Sequence, residues 1–382
     1  MNRRKFLAVF GGGVILAAGA AGAGFVATRR PDAALAPWDA AGTAYQEPRR
    51  RALSYAILAA NPHNRQPWLV DLRNDGRVVL YCDLDRLLPE TDPYNRQVTI
   101  GLGCFLEVLR MAAAEDGYRL DISMFPSGSD TKALDRRPVA DIRFEKDGKQ
   151  RPDPLFRQVM NRRSVKEPFD TDRPVSDQQL LDIRAAATGK YQVSTSNNPI
   201  WVKTLRDLTW KAMEIEMRTP RTHMESVNLF RIGKSEINAN PDGIDFSGAF
   251  FESLNAVGQF SREGTGDPTS TEFQMGLDII RELCMTGMAY VWLTSPANTR
   301  QDQLAAGRDW IRINLAVTGL GLSVQPMSQA LQEYPEMAGP YAEVHKMLAP
   351  AGGTVQMLGR LGYGPDVAPS PRWSLDTRIV KA

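Results

Sequence analysis

The spacing of apolar residues changes period several times along the chain, and each change marks an element. In "EPRRRALSYAILAA", Leu53, Ala56, Ile57 and Ala60 fall on one helical face. That helix is predicted to stop at Asn61–Pro62, because the residue before a proline disfavours the helical region. "WLVDLR" then alternates Trp68, Val70 and Leu72 with polar neighbours, "NDG" turns the chain, and "RVVLYCD" completes a hairpin. A long apolar helix follows over residues 97–116, with strands at "RLDISMF" and "VADIRFEKDG" closing a first half near residue 150. The second half is expected to open with a helix at "DPLFRQVMNRR". A further helix follows "PVSDQQ", where Ser176 and Gln179 form a capping box. Later come a strand at "AYVWLTS", a long helix at "NTRQDQLAAGRDWIRINLAVTGLG" and a last strand at "TVQMLGRLGYG".

Three stretches depart from this regularity. Residues 29–45 read as a linker. Residues 224–270 are rich in Gly, Asn, Asp and Ser with only short apolar runs, the pattern of a lid or a disordered insert near 221–275. A faint repeat aligns "GCFLEVLRMAAAEDGY" with "GRDWIRINLAVTGLGL", matching Gly103 and Gly117 with Gly307 and Gly321, and Ala112 with Ala316. At the start, "MNRRKFLAVFGGGVILAAGAAGAGFVATRR" joins a basic end to a weakly apolar Ala/Gly run. Its Arg3–Arg4 pair followed by Phe6–Leu7 resembles a twin-arginine export signal over residues 1–28, cleaved or kept as an anchor. Six glycines between 11 and 24 make the run a poor membrane span.

Composition narrows the chemistry. With 46 Lys and Arg against 44 Asp and Glu, charge is near balance and gives no reason to expect nucleic acid. The 3 cysteines and 3 histidines are scattered, without CxxC or HExxH spacing, so no metal site is expected. "GAGFVA" fits a dinucleotide fingerprint but lies inside the leader, and no GxSxG elbow occurs.

Two polar clusters carry candidate chemistry. "NPHNRQPW" packs His63, Asn64, Arg65 and Gln66 between a helix and a strand, where a plain turn would need none of them. "NRRSVKEPF" sets Arg162, Arg163 and Lys166 around the Ser164 hydroxyl, donors suited to a phosphate dianion, although the same run could be a solvated basic face. "PSPRWSL" adds Arg372 from the C-terminal tail.

Together these motifs resemble the nitroreductase superfamily of FMN enzymes, whose signatures pair "RxSxR/K" with "SSxNxQPW" and a basic residue after a "GY" strand. The order of the motifs, the twin-arginine leader and the tail "QMLGRLGYGPDVAPSPR" are similar to the Acg-type branch. The resemblance implies an α+β, nitroreductase-like fold in which two nitroreductase-like halves (residues 46–150 and 151–382) are fused as an internal pseudo-dimer. It implies FMN as cofactor and hydride transfer to a small electron-poor organic substrate, with no protein acid or base needed for the hydride step. The alternative is FMN binding or sequestration beneath a closed lid. By motif, Arg162, Ser164 and Arg372 match phosphate ligands, with Arg163 and His63 beside them. Lys166 matches a basic residue at the phosphate or flavin edge, Asn64 an amide holding the cofactor, and Gln66 part of the turn. The family serines are replaced here by Asn61 and Pro62, and Pro62 has no backbone N–H to donate. A monomer with one flavin, exported by the twin-arginine machinery to the periplasm or the outer face of the membrane, completes the expectation.

Overall fold

A computed structural model describes residues 28–381, so the leader assigned to residues 1–28 lies, apart from Thr28, outside the described residues. Helices α1 (Asp32–Ala40) and α2 (Pro48–Ala56) precede the hairpin β1 (Trp68–Asp71) and β2 (Arg77–Cys82). Then come α3 (Arg96–Glu115), β3 (Tyr118–Met124) and β4 (Ala140–Lys146). A crossing segment leads to α4 (Asp177–Ala185) and β5 (Gln192–Ser196). The next run holds α5 (Pro199–Arg218), α6 (Pro220–Asn228), β6 (Phe230–Ile232), α7 (Gly233–Ala239) and β7 (Ile244–Phe246). It continues through α8 (Ala249–Ala256), α9 (Arg262–Gly266) and α10 (Thr271–Met285). The chain ends with β8 (Ala289–Ser295), α11 (Arg300–Gly319), β9 (Ser323–Pro326), α12 (Ala338–Leu348) and β10 (Thr354–Gly362).

The fold is α+β and internally duplicated. One sheet has the order β1-β2-β4-β3 and the other β5-β8-β10-β9, with every neighbour antiparallel. Each half therefore repeats helix, two strands, long helix, two strands in the same spatial order. Where the first half joins its opening strands with the short turn after Asp71, the second inserts the whole run from α5 to α10.

Helices α3 and α11 pack against each other at the centre. A Cβ on Gly103 would sit 2.1 Å from the Leu304 carbonyl oxygen, and one on Gly307 2.0 Å from the Ile100 oxygen. Each struck carbonyl lies three residues before the partner glycine, so the contact is reciprocal, as a two-fold relation requires. The faint sequence repeat is this axis. Its outer glycines, Gly117 and Gly321, both take left-handed backbone, at φ +72° and +69°. The helix N-termini exchange as well: buried Arg96 donates to the Leu331 and Gln356 carbonyls of the second half, and buried Arg300 to the Asp130 carbonyl of the first. Lower down, the buried carboxylate of Glu107 on α3 binds Arg308 and Arg312 of α11, each at 3.0 Å.

Several expectations need correction. The supposed linker over 29–45 contains α1, whose Leu35 and Trp38 join the core. The helix expected at "DPLFRQVMNRR" is a single 3-10 turn, Phe156–Gln158. Pro152 and Pro154 remove backbone donors there, and the Asp153 carboxylate is drawn to Arg110 and Arg312. The stretch 224–270 is ordered, not structureless. The parallel pair β6/β7 contributes Phe230 and Phe246 to an aromatic cluster in which Phe246 meets Phe230, Phe251 and Phe260 edge to face. Helix α5 carries signals that sequence reasoning missed, an Asn198 cap, Pro199 in the first turn and an apolar face of Val202, Leu205, Leu208 and Ala212.

Because both axial glycines meet backbone, which cannot rotate aside, Gly103→Ala and Gly307→Ala should each destabilise the chain by roughly 3 kcal/mol, the upper end for overpacking. Gly148→Ala, with nothing within 4 Å of its Cβ, should be nearly neutral. Urea unfolding of the three variants checks this, and equal stabilities would refute the close contact.

Candidate functional site

The "NPHNRQPW" turn is held against the axis. Gly101 on α3 leaves room for Asn61 and Pro62, whose atoms would lie 3.1 Å from a Cβ there. The turn is strained: His63, Asn64 and Gln66 all have positive φ, at 46°, 51° and 52°. Such conformations persist only where surrounding contacts over-determine them. Here the Asn61 carboxamide oxygen accepts from the Gln66 N–H at 2.7 Å. The Gln66 side chain is fully buried; it donates to the Pro241 carbonyl at 2.8 Å and accepts from the Trp373 N–H at 2.9 Å.

The basic segment is seated by the glycines of the "LGYG" strand end. A Cβ on Gly362 would meet the Phe169 ring at 2.6 Å, and one on Gly364 the Val165 side chain at 2.8 Å. Val165 N–H donates to the Val324 carbonyl on β9, and Arg360 both donates to the Glu167 carbonyl and covers the Phe169 ring. This fixes Arg162, Arg163, Ser164 and Lys166 beside the end of α2.

Arg372 joins them from the tail, which returns to the first sheet by two hydrogen bonds between Val70 and the residues around Ile379. Its guanidinium donates to the last carbonyls after α2, those of Ile57, Leu58 and Ala59, and at 2.5 Å to the Asn64 side-chain oxygen. Arg162 reaches the Leu58 carbonyl at 3.4 Å and the Ser164 hydroxyl at 3.5 Å. So the structure brings His63, Asn64, Gln66, Arg162, Arg163, Ser164, Lys166 and Arg372 together. It also shows that the amide of Asn64, expected to hold the cofactor, is bonded to the tail, while that of Gln66, expected as part of the turn, is bonded to the insert and the tail.

Charge at this place is uncompensated. Arg162 and Arg372 are buried, and among the described residues neither they, Arg163 nor Lys166 forms an ion pair. Buried arginines ordinarily have carboxylate partners. Loss of hydration pushes Arg162 down to about 10. Arg372 falls to about 9, first through burial and then through repulsion from Arg162, while Asp245 opposes the shift. Lys166 is exposed along its side chain, yet its ammonium is also lowered by lost hydration, again opposed by Asp245. Among the described residues Asp245 on β7 is the carboxylate that faces Lys166 and Arg372, and burial raises it. Arg163 keeps a buried, unpartnered Nε, and His63 a buried, unpartnered Nδ1. The five N–H groups of Arg372 are all donated to protein oxygens, so an anion would draw on its charge or replace one of those oxygens, while the Arg163 Nε and the Lys166 ammonium are left for charge-assisted bonds to a phosphate dianion.

The insert lies across the turn. Gly243 N–H approaches the Asn64 carbonyl at 3.4 Å, and the Asp242 carboxylate is shared by Arg65, Arg86 and Arg231. Asp245 and Trp38 are the functional neighbours that sequence reasoning missed. Ala34, Leu35 and Trp38 have the spacing of a short amphipathic helix, a signal that was available; Asp245 had none.

Burial, Lys166 and Arg65 together hold His63 at about 4 instead of 6.5. The unfolded chain therefore takes up a proton near pH 6.5 that the folded chain refuses, and stability should fall as pH drops from about 6.5 to 4. The loss from this one group is up to about 3 kcal/mol, complete below about 4. Proton NMR should find His63 titrating near 4, and His63→Gln should flatten the acid limb of urea stability. A His63 titration near 6.5 would refute the enclosure.

No family model matches the sequence. A relative provisionally named NAD(P)H nitroreductase acg, from Mycobacterium tuberculosis, is 31% identical over 124 residues, 32% of this chain. The chain spans 37% of the length of the curated relatives it matches. Among solved structures, a nitroreductase with bound FMN from Bacteroides fragilis is similar over 60% of this chain and 96% of its own, at 12% identity and TM-score 0.34. The FMN-dependent nitroreductase NfnB from Mycobacterium smegmatis, in complex with NADPH, is similar over 58% of this chain and 94% of its own, at 18% identity and TM-score 0.36.

Proposed function

We propose that this chain is an FMN-dependent oxidoreductase of nitroreductase type, acting on a small electron-poor organic substrate. One observation carries the reading: Arg162, which reaches the Ser164 hydroxyl, gathers with Arg163, Arg372 and Lys166, and among the described residues none of the four forms an ion pair. The residues fit the cofactor. Arg162, Ser164 and Arg372 would hold the phosphate, with Arg163 and His63 beside it. Lys166 would sit near the phosphate or the flavin edge, where positive charge favours a reduced anionic ring. Asn64 and Gln66 shape the turn that closes the other side. When bound, FMN supplies the hydride chemistry, and no side chain need act as acid or base in that step. The motif resemblance and the acg relative both support the reading.

A second reading is favoured by the insert: FMN is bound and sequestered without turnover. The contacts of Pro241, Asp242 and Gly243 with Gln66, Arg65 and Asn64 of the turn are those of a closed cover. In either reading the chain is a monomer with one flavin, because the basic segment occurs once while the fold repeats. Export through the twin-arginine pathway, to the periplasm or the outer face of the membrane, rests on Arg3–Arg4.

Titration of the apo-protein with FMN, with mass measured by light scattering, should give one flavin per monomer. Arg162→Ala should weaken FMN by roughly 1.5–3 kcal/mol, the scale of a charge-assisted bond, and leave riboflavin nearly indifferent. Equal losses for both ligands would assign the arginine to the fold instead. Adding NADPH to the flavin-loaded chain separates the two readings: rapid bleaching of the visible spectrum marks a reductase, and unchanged colour marks sequestration.

A further inference from the structure

Helix α1 stands directly over the basic cluster. Its Trp38 ring centroid is 4.9 Å from the Arg163 guanidinium carbon and 5.6 Å from that of Arg372. The ring is almost fully buried, and its Nε1–H donates to the Ser370 carbonyl at 2.8 Å. The helix is tied down on both sides. Arg372 N–H donates to the Ala34 carbonyl at 2.9 Å, and Ala34 N–H donates to the Asn238 side chain of α7 at 3.0 Å. Tail, insert and α1 thus meet at the two arginines.

We propose that Trp38 is a positioning residue of an anion site, holding Arg163 and Arg372 ready for the phosphate of a phosphate monoester and slowing its escape. The inference rests on reading the cluster as a phosphate site and adds α1 to it. Among the described residues the three guanidiniums have no carboxylate in ion-pair contact; carbonyl oxygens hold their edges, and the indole lies over the faces of Arg163 and Arg372. The negative face of an indole attracts guanidinium without neutralising it. A carboxylate in the same place would fill the site electrostatically; the ring keeps the cations together and still short of an anion. It also excludes water from that side, which strengthens every charge-assisted bond made there.

The test uses the full chain, with inorganic phosphate by calorimetry and FMN and riboflavin by flavin fluorescence. Trp38→Ala should raise the phosphate Kd roughly tenfold and speed FMN dissociation by about the same factor, the scale of a desolvated cation–π contact. Riboflavin should change less than about twofold. Trp38→Phe keeps a weaker π face and should lie between, near threefold, which preserves the test if the alanine variant does not fold. Leu35→Ala loosens the same helix from the core without touching the arginines; it should lower the melting temperature and leave phosphate affinity within about twofold. Wild-type phosphate affinity in Trp38→Ala, or a Leu35→Ala variant that loses phosphate as strongly, would overturn the proposal. A wild-type chain that binds phosphate but not FMN would remove the proposed cofactor and leave the Trp38 comparison standing. No phosphate binding at all would remove both.

Discussion

The architecture depends on one close contact, the approach of α3 to α11 backbone against backbone at Gly103 and Gly307. Glycine is needed at both positions because any Cβ would strike a carbonyl oxygen, and carbonyls in a helix cannot turn away. The approach places the two sheets in register about a common axis. It also lets each half supply what the other lacks: Arg96 and Arg300 exchange across it, Glu107 binds two arginines across it, and the tail of the second half joins the first sheet. Gly101, two residues from the axial glycine, makes room for the strained turn. The candidate site is therefore a product of the same helix contact.

The basic recess shows the opposite economy. Around Asp242 and Asp83 the chain pairs its arginines with carboxylates, Arg65, Arg86, Arg231 and Arg378 sharing two, whereas buried Arg300 and Arg360 rest on neutral oxygens. At Arg162, Arg163 and Arg372 it substitutes carbonyl oxygens and an indole face. Carbonyl acceptors satisfy the N–H groups without cancelling their charge, so a positive field persists in a desolvated place. Such an arrangement costs stability when empty, and that cost is recovered by whatever anion binds.

The insert and α1 decide access to that field. The insert meets the turn through Pro241, Asp242 and Gly243 and presents Asp245 to Lys166 and Arg372, while α1 closes the side of Arg163. Both lie outside the repeated topology: the insert occupies the place of a short hairpin turn, and α1 precedes the first repeated helix.

By itself the sequence determined the elements whose patterns are local. The hairpin follows from alternation around "NDG", the two central helices from long apolar runs, and α4 from its capping box, all properties of neighbours in the chain. The glycine repeat was visible too, although only packing shows that its members touch. The eight candidate residues were legible as chemistry because clustered donors are unusual in sequence. Their meeting across about three hundred residues, from His63 to Arg372, was decided by tertiary structure. The same holds for the residues that were missed. Trp38 lay in a segment short enough to pass for linker, since a nine-residue helix gains its stability from packing more than from its own sequence. Asp245 is an ordinary acidic residue in a polar run until β6 and β7 pair and carry it to the recess. The 3-10 turn at Phe156 stands where a helix was expected: Pro152 and Pro154 lack backbone donors, and Asp153 is drawn to Arg110 and Arg312, partners distant in sequence.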